Sequence, residues 1–116
     1  PGWVMAHGDE GRSIQTPGST AMSLAKKLGK SVVCGHTHRA GLTHWTQSYF
    51  GGKPKTVWGL EVGCLMDFKF AKYVKGGLFT WHKGFGVLYV DGNKVTPHLV
   101  PVNMDGSFVF DGKIWK

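Results

Sequence analysis

The chain has no long hydrophobic run, no C-x-x-C pair and few acidic residues, and each shortage narrows what it is. No apolar stretch approaches the ~20 residues of a membrane-spanning helix, so no membrane partner is expected. No charged start, apolar run and small-residue cleavage site forms a signal peptide, and the expected location is cytoplasmic. The opening Pro1-Gly2, without an initiator methionine, reads as a processed, trimmed or excised polypeptide. Only two cysteines are present, Cys34 and Cys64, both in or beside apolar stretches. They read as free thiols in a reducing compartment rather than as a disulfide framework. Seven acidic residues stand against fourteen lysines and arginines, a formal charge of +7. That balance favours polyanions such as nucleic acid. The charges are dispersed, however: Lys26, Lys27 and Lys30 sit at a helix end, and the others are spread across turns and strand faces. A solvated basic surface is the preferred reading over a nucleic-acid groove.

What is present describes a single domain over residues 1–116, in which 41% hydrophobic residues are ample for one core. Glycines scattered between short apolar runs indicate many strands and turns. Residues 2–6 read as a buried strand, and Gly8 to Gly18 as a polar loop of functional length. Ser19 or Thr20 is expected to cap a helix whose core stripe is Ala21, Leu24, Ala25 and Leu28. Lys26 and Lys27 suit its C-terminus, and Gly29 stops it. Residues 31–34 form a second strand, parallel and adjacent to the first, which completes a βαβ unit. After Arg39 the pattern predicts strands over 41–49, 56–62, 65–73, 85–90, 94–101 and 107–115. Turns fall at Gly51-Gly52 and Gly76-Gly77, with a hairpin at Asp91-Gly92-Asn93. The expected fold class is α/β (α+β), one βαβ unit followed by an antiparallel meander.

Both strands of that unit end in histidine. Trp3-Val4-Met5-Ala6 runs into His7-Gly8, and Ser31-Val32-Val33-Cys34 runs into Gly35-His36-Thr37-His38. Strand ends are where α/β sheets place ligand sites, and neutral imidazole is the commonest side-chain metal ligand. His7, His36 and His38 are therefore the candidate metal ligands. From a tight turn, His36 and His38 can diverge toward two neighbouring ions. Asp9 has two readings, an acceptor that orients a ligand imidazole or a turn cap. Arg12 and Arg39, the only arginines, flank the proposed ligands and are read either as clamps for a substrate phosphate or as surface residues. His44, His82 and His98 lie in strand-like runs and read as structural. Trp45, Trp58, Trp81 and Trp115 read as core or sheet-face aromatics.

Strand-His-Gly, helix, strand-Gly-His-x-His-Arg and antiparallel strands, in that order, resemble the C-terminal half of a calcineurin-like metallophosphoesterase. The resemblance runs from residue 2 to about residue 100. It implies half of a β-sandwich flanked by helices, with a two-metal centre at the strand ends. His7 and His36 would share one divalent ion and His38 would bind the other, with manganese, zinc, iron and nickel all compatible. The implied reaction is hydrolysis of a phosphomonoester or phosphodiester substrate. The departure is large, because the Asp-x-His, Gly-Asp-x-x-Asp and Gly-Asn-His motifs of that family's first half are absent. Arg12 stands where the second aspartate would follow Gly8-Asp9, and the only asparagines are Asn93 and Asn103. No catalytic residue beyond the metal ligands is therefore expected, and the chain alone should be inactive. Its implied partner is the missing N-terminal half. A homodimer is the other way to cover aromatics such as Phe68, Phe70, Tyr73, Phe85 and Tyr89. The alternative is a truncated, non-catalytic homologue that binds metal or polyanions. A single-metal hydrolase with three histidines is a third reading.

Overall fold

Two short strand-forming runs and the helix between them set the frame of the computed structural model, which describes residues 2–10, 13–48, 50–70 and 81–116. Strand β1 (Trp3–Ala6) lies parallel to β2 (Ser31–Cys34), with Ala6 opposite Cys34. Helix α1 (Ser19–Leu28) joins them and ends where Gly29, at φ 67°, turns its N–H back to the Ala25 carbonyl. Strands β3 (Ala40–Gln47) and β4 (Lys55–Val62) form an antiparallel hairpin. β4 also pairs in parallel with β2, so the sheet order is β1-β2-β4-β3. A second hairpin, β5 (Gly84–Asp91) and β6 (Lys94–Pro101), turns through Gly92 at φ 58°. A third, β7 (Phe108–Phe110) and β8 (Lys113–Trp115), completes the described elements.

The four-stranded sheet is covered differently on its two faces. On one, Ala21, Met22 and Ala25 of α1 pack on Val32, Cys34 and Val57. On the other, the β5–β6 hairpin approaches at Gly86, where an added Cβ would stand 3.0 Å from Val62 and 3.1 Å from Leu60. The result is a mixed α+β architecture of mostly strands, with one α-helix among the described residues. The predicted βαβ unit is present, with its two strands parallel and adjacent.

The predicted meander is not. β4 does not simply follow β3 outward but inserts beside β2, and its chemistry explains why. Val57, Gly59, Leu60 and Glu61 are all buried. A run buried on both faces takes a central position, and β3, exposed over its last four residues, takes the edge. β1 is the other edge rather than a buried strand, with Met5 83% exposed. The buried face of α1 is Thr20, Ala21, Met22 and Ala25, so Leu28 lies outside it at 47% exposure. Neither Ser19 nor Thr20 caps the helix: the cap is Gly18 in the left-handed conformation, with no side-chain cap bond. The segment predicted as a strand over 65–73 contains a 3-10 turn at Phe68–Phe70. Tyr73 and the Gly76-Gly77 turn lie outside the described residues. The run 107–115 is two strands, because Asp111 and Gly112 at φ 55° and 71° reverse the chain.

Candidate metal centre

Parallel pairing of β1 with β2 brings the residues after their C-terminal ends together. The Gly35 N–H donates to the His7 carbonyl at 3.0 Å, which extends the ladder one step past the strands. Beyond it the imidazoles converge, with His7 Nε2 at 3.0 Å from His36 Nδ1 and ring centroids 4.7 Å apart. Between two neutral rings such a contact holds one proton, with one nitrogen donating and the other accepting. Two ligands at ~2.1 Å from a tetrahedral ion stand about 3.4 Å apart. A cation that replaced the shared proton would need the rings to part by only a few tenths of an ångström. This pair could supply two of the ligands a divalent ion needs.

Gly8 makes the approach possible. At φ 119° its missing side chain faces the Gly35 carbonyl, and an added Cβ would also stand 3.1 Å from His36 Cβ. The turn that follows β2 is tight. Thr37 N–H donates to the Gly35 carbonyl at 2.7 Å across His36, whose φ of 66° makes this a γ-turn of the rarer, left-handed kind. His38 is left-handed as well, at φ 57°. Two non-glycine residues of this type, one on each side of Thr37, cost about 1 kcal/mol or more each, and they persist only where neighbours over-determine them.

His38 does not join the pair. Its ring packs edge-on against Trp81, with centroids 4.3 Å apart. Its Nδ1 is buried without a hydrogen-bond partner among the described residues. Burial, and then the neighbouring His36, hold the ring below the ordinary histidine range, so it is uncharged at neutral pH with a lone pair to offer. Among the described residues no three His, Cys, Asp or Glu side chains lie close enough to hold one ion. Asp9 is exposed on the loop, Arg39 is half-buried just before β3, and Arg12 lies outside the described residues. Of the other histidines, His82 Nδ1 accepts the Ala40 N–H at 3.2 Å, His44 packs on Trp58 and His98 on Tyr89. Trp45 is a sheet-face aromatic, 46% exposed. Cys34 and Cys64 are free thiols. Burial, and then the charge of Glu61, push the Cys34 thiol up to about 11, so it stays protonated beside the site.

Two glutamates missed in the sequence complete the surroundings. Glu10, not Asp9, closes the first loop, accepting the His7 N–H at 3.0 Å and the Gly8 N–H at 2.7 Å. Those amide bonds, Gly8 first, hold its carboxyl below the usual carboxylate value. A carboxylate with a lowered folded-state pKa stabilises above its unfolded value of 4.5, and that contribution is lost as pH falls through the lower folded value. The Gly8 amide proton resonance should therefore titrate with a midpoint below 4.5, and Glu10→Gln should abolish that step. Glu61 is fully buried in β4 beneath the His36–His38 turn. A lone charge inside the apolar run Val57–Val62 is itself the signal that could have found it, since a buried carboxylate needs partners.

Comparison with known proteins adds relatives but no activity. The chain is 46% identical over 118 residues to the Gene 54 protein of Mycobacterium phage D29, and 44% identical to that of Mycobacterium phage L5. In both cases all of the chain is matched against 46% of the relative, so it spans about half the length of the curated relatives it matches. No protein-family profile matches it. No solved structure matches it.

Proposed function

We propose that this chain is the histidine-bearing half of a metal-dependent phosphoesterase domain, which hydrolyses phosphomonoesters or phosphodiesters when complete. The observation that carries the reading is the convergence of His7 Nε2 and His36 Nδ1 to 3.0 Å at the ends of adjacent parallel strands. These two would hold one divalent ion, and His38 would serve a second. Paired divalent ions polarise a phosphoryl oxygen and lower the pKa of an attacking water. The chain's own part is to hold neutral imidazoles in fixed orientation at a strand edge, and Asp9 and Arg39 stand near enough in sequence to meet the substrate.

A polypeptide that completes the domain has a place to pack. The sheet face opposite α1 leaves an apolar groove of about 720 Å³ whose lining includes Met5, Val33, Leu60, Leu65 and Leu88. Met5 is 83% and Leu65 69% exposed there. The molecule is correspondingly flat, only 18 Å along its shortest axis, with a radius of gyration of 15.6 Å. A compact domain of this length would have a radius near 13 Å. A second copy of the chain is the other candidate for that face. No helix among the described residues is long and apolar enough to cross a membrane.

A second reading, a non-catalytic polyanion-binding module, draws on a different patch. Lys26 Nζ lies 3.8 Å from the centre of the Trp45 ring, and Lys53 and Lys55 line the same groove. One experiment separates the two. Calorimetric titration with Mn²⁺ and Zn²⁺ is expected to show binding that His36→Ala weakens about 100-fold or more. The isolated chain should show no turnover of a chromogenic phosphodiester, whereas a longer polypeptide carrying the first-half motifs should. Metal-independent binding of an oligonucleotide, with no heat from either ion, would favour the module.

A further inference from the structure

We propose that Glu61 is a positioning residue for the two histidines of the second loop, acting through the hydroxyl of Thr37. Its consequence for metal binding rests on the ligand assignment above; its geometry does not. Glu61 is 0% and Thr37 6% exposed, so both polar groups are committed to each other inside the protein. The Thr37 hydroxyl donates to Glu61 Oε1 at 2.5 Å, and Thr37 Oγ1 in turn accepts the Arg39 N–H at 3.4 Å. Thr37 sits between two left-handed residues, His36 and His38, and its own N–H closes the γ-turn across His36. Thr37, the buried residue of this turn, is thus tied to a rigid central strand, while His36 beside it is exposed and His38 packs on Trp81.

The second oxygen ties the turn to the helix. Thr20 N–H, in the first turn of α1, donates to Glu61 Oε2 at 3.2 Å. Free N–H groups and the positive end of the helix dipole favour a carboxylate there. That is why α1 does without a side-chain cap of its own: a residue 41 positions away accepts the amide instead. Both partners of Glu61 are donors, so a carboxylate, which only accepts, matches them on both oxygens. Glutamine does not, because its NH₂ would have to face the Thr37 oxygen and reverse that bond, since the Thr20 N–H can only donate.

The test uses Thr37→Val, Thr37→Ser and Glu61→Gln in the full-length protein, each first shown to fold by circular dichroism. Amide hydrogen exchange at Thr37 and Arg39 reads the turn without metal, and calorimetry with Mn²⁺ and Zn²⁺ reads its consequence. Thr37→Val is expected to speed exchange at both amides about tenfold and to weaken the metal about tenfold or more, as loss of a group supporting a ligand does. Thr37→Ser, which keeps the hydroxyl, should restore both readouts. Glu61→Gln should fold and fall between. Wild-type exchange in a folded Thr37→Val or Glu61→Gln overturns the proposal. If the wild type binds neither ion, the ligand assignment fails, and exchange alone decides the positioning role. If Thr37→Val does not fold, Glu61→Gln measured against Thr37→Ser decides it.

Discussion

Gly59→Ala is expected to destabilise the protein by about 3 kcal/mol, the upper end of the range for overpacked cores, and Gly59→Val to leave no folded protein. Gly59 lies in β4 directly beneath α1. A Cβ there would stand 2.6 Å from the Met22 amide nitrogen, 2.8 Å from Met22 Cα and 3.0 Å from the Ala21 carbonyl carbon. All three are helix backbone, so no side-chain rotamer can clear the space. The helix would have to lift from the sheet and give up the burial of Ala21, Met22 and Ala25 against Val32 and Val57. Urea unfolding monitored by tryptophan fluorescence measures the loss. Gly92→Ala, at a hairpin tip where nothing lies within 4 Å, should cost far less and serves as the reference.

The second large effect falls on the site and not on the fold. Gly8→Ala is expected to weaken Mn²⁺ or Zn²⁺ about 100-fold while leaving far-UV circular dichroism unchanged. The new methyl would overlap the Gly35 carbonyl oxygen and crowd His36 Cβ at 3.1 Å, and Gly8 already sits at φ 119°. Relief requires the two loops to part, which breaks the Gly35 N–H bond to the His7 carbonyl and carries His7 away from His36. Gly51→Ala, at φ 71° with open space around it, introduces a left-handed strain without the collision and should bind metal normally. Equal binding by Gly8→Ala and the wild type would mean that the pair of histidines is not the ligand set.

These two glycines also show what kind of information each level carries. The His-Gly and Gly-His-x-His stretches are visible in the residues, and so are the βαβ unit, the Gly29 stop and the Asp91-Gly92-Asn93 hairpin. Each is local: alternation of apolar residues, a left-handed glycine or a turn dipeptide acts within a few positions of itself. That is why β6 falls where the pattern predicts it, at Lys94–Pro101. The same local rules fail where a distant segment supplies the partner. Ser19 and Thr20 look like caps, but the cap is Gly18 and the Thr20 hydroxyl is engaged by the Ile14 backbone. Leu28 fits the helical period, but it lies outside the packed cluster of Ala21, Met22 and Ala25 and is 47% exposed.

The sequence by itself determined the strand ends and the histidines placed on them, because strand termination and imidazole chemistry are properties of neighbouring residues. Only the tertiary structure decided that β4, not β3, adjoins β2, because sheet order depends on which run is buried on both faces in the assembled layers. It alone brought His7 to 3.0 Å from His36, left His38 against Trp81, and set Glu61 beneath Thr37. Those contacts join positions 24 to 43 residues apart, and such separations are closed by packing and strand register, which no local pattern encodes.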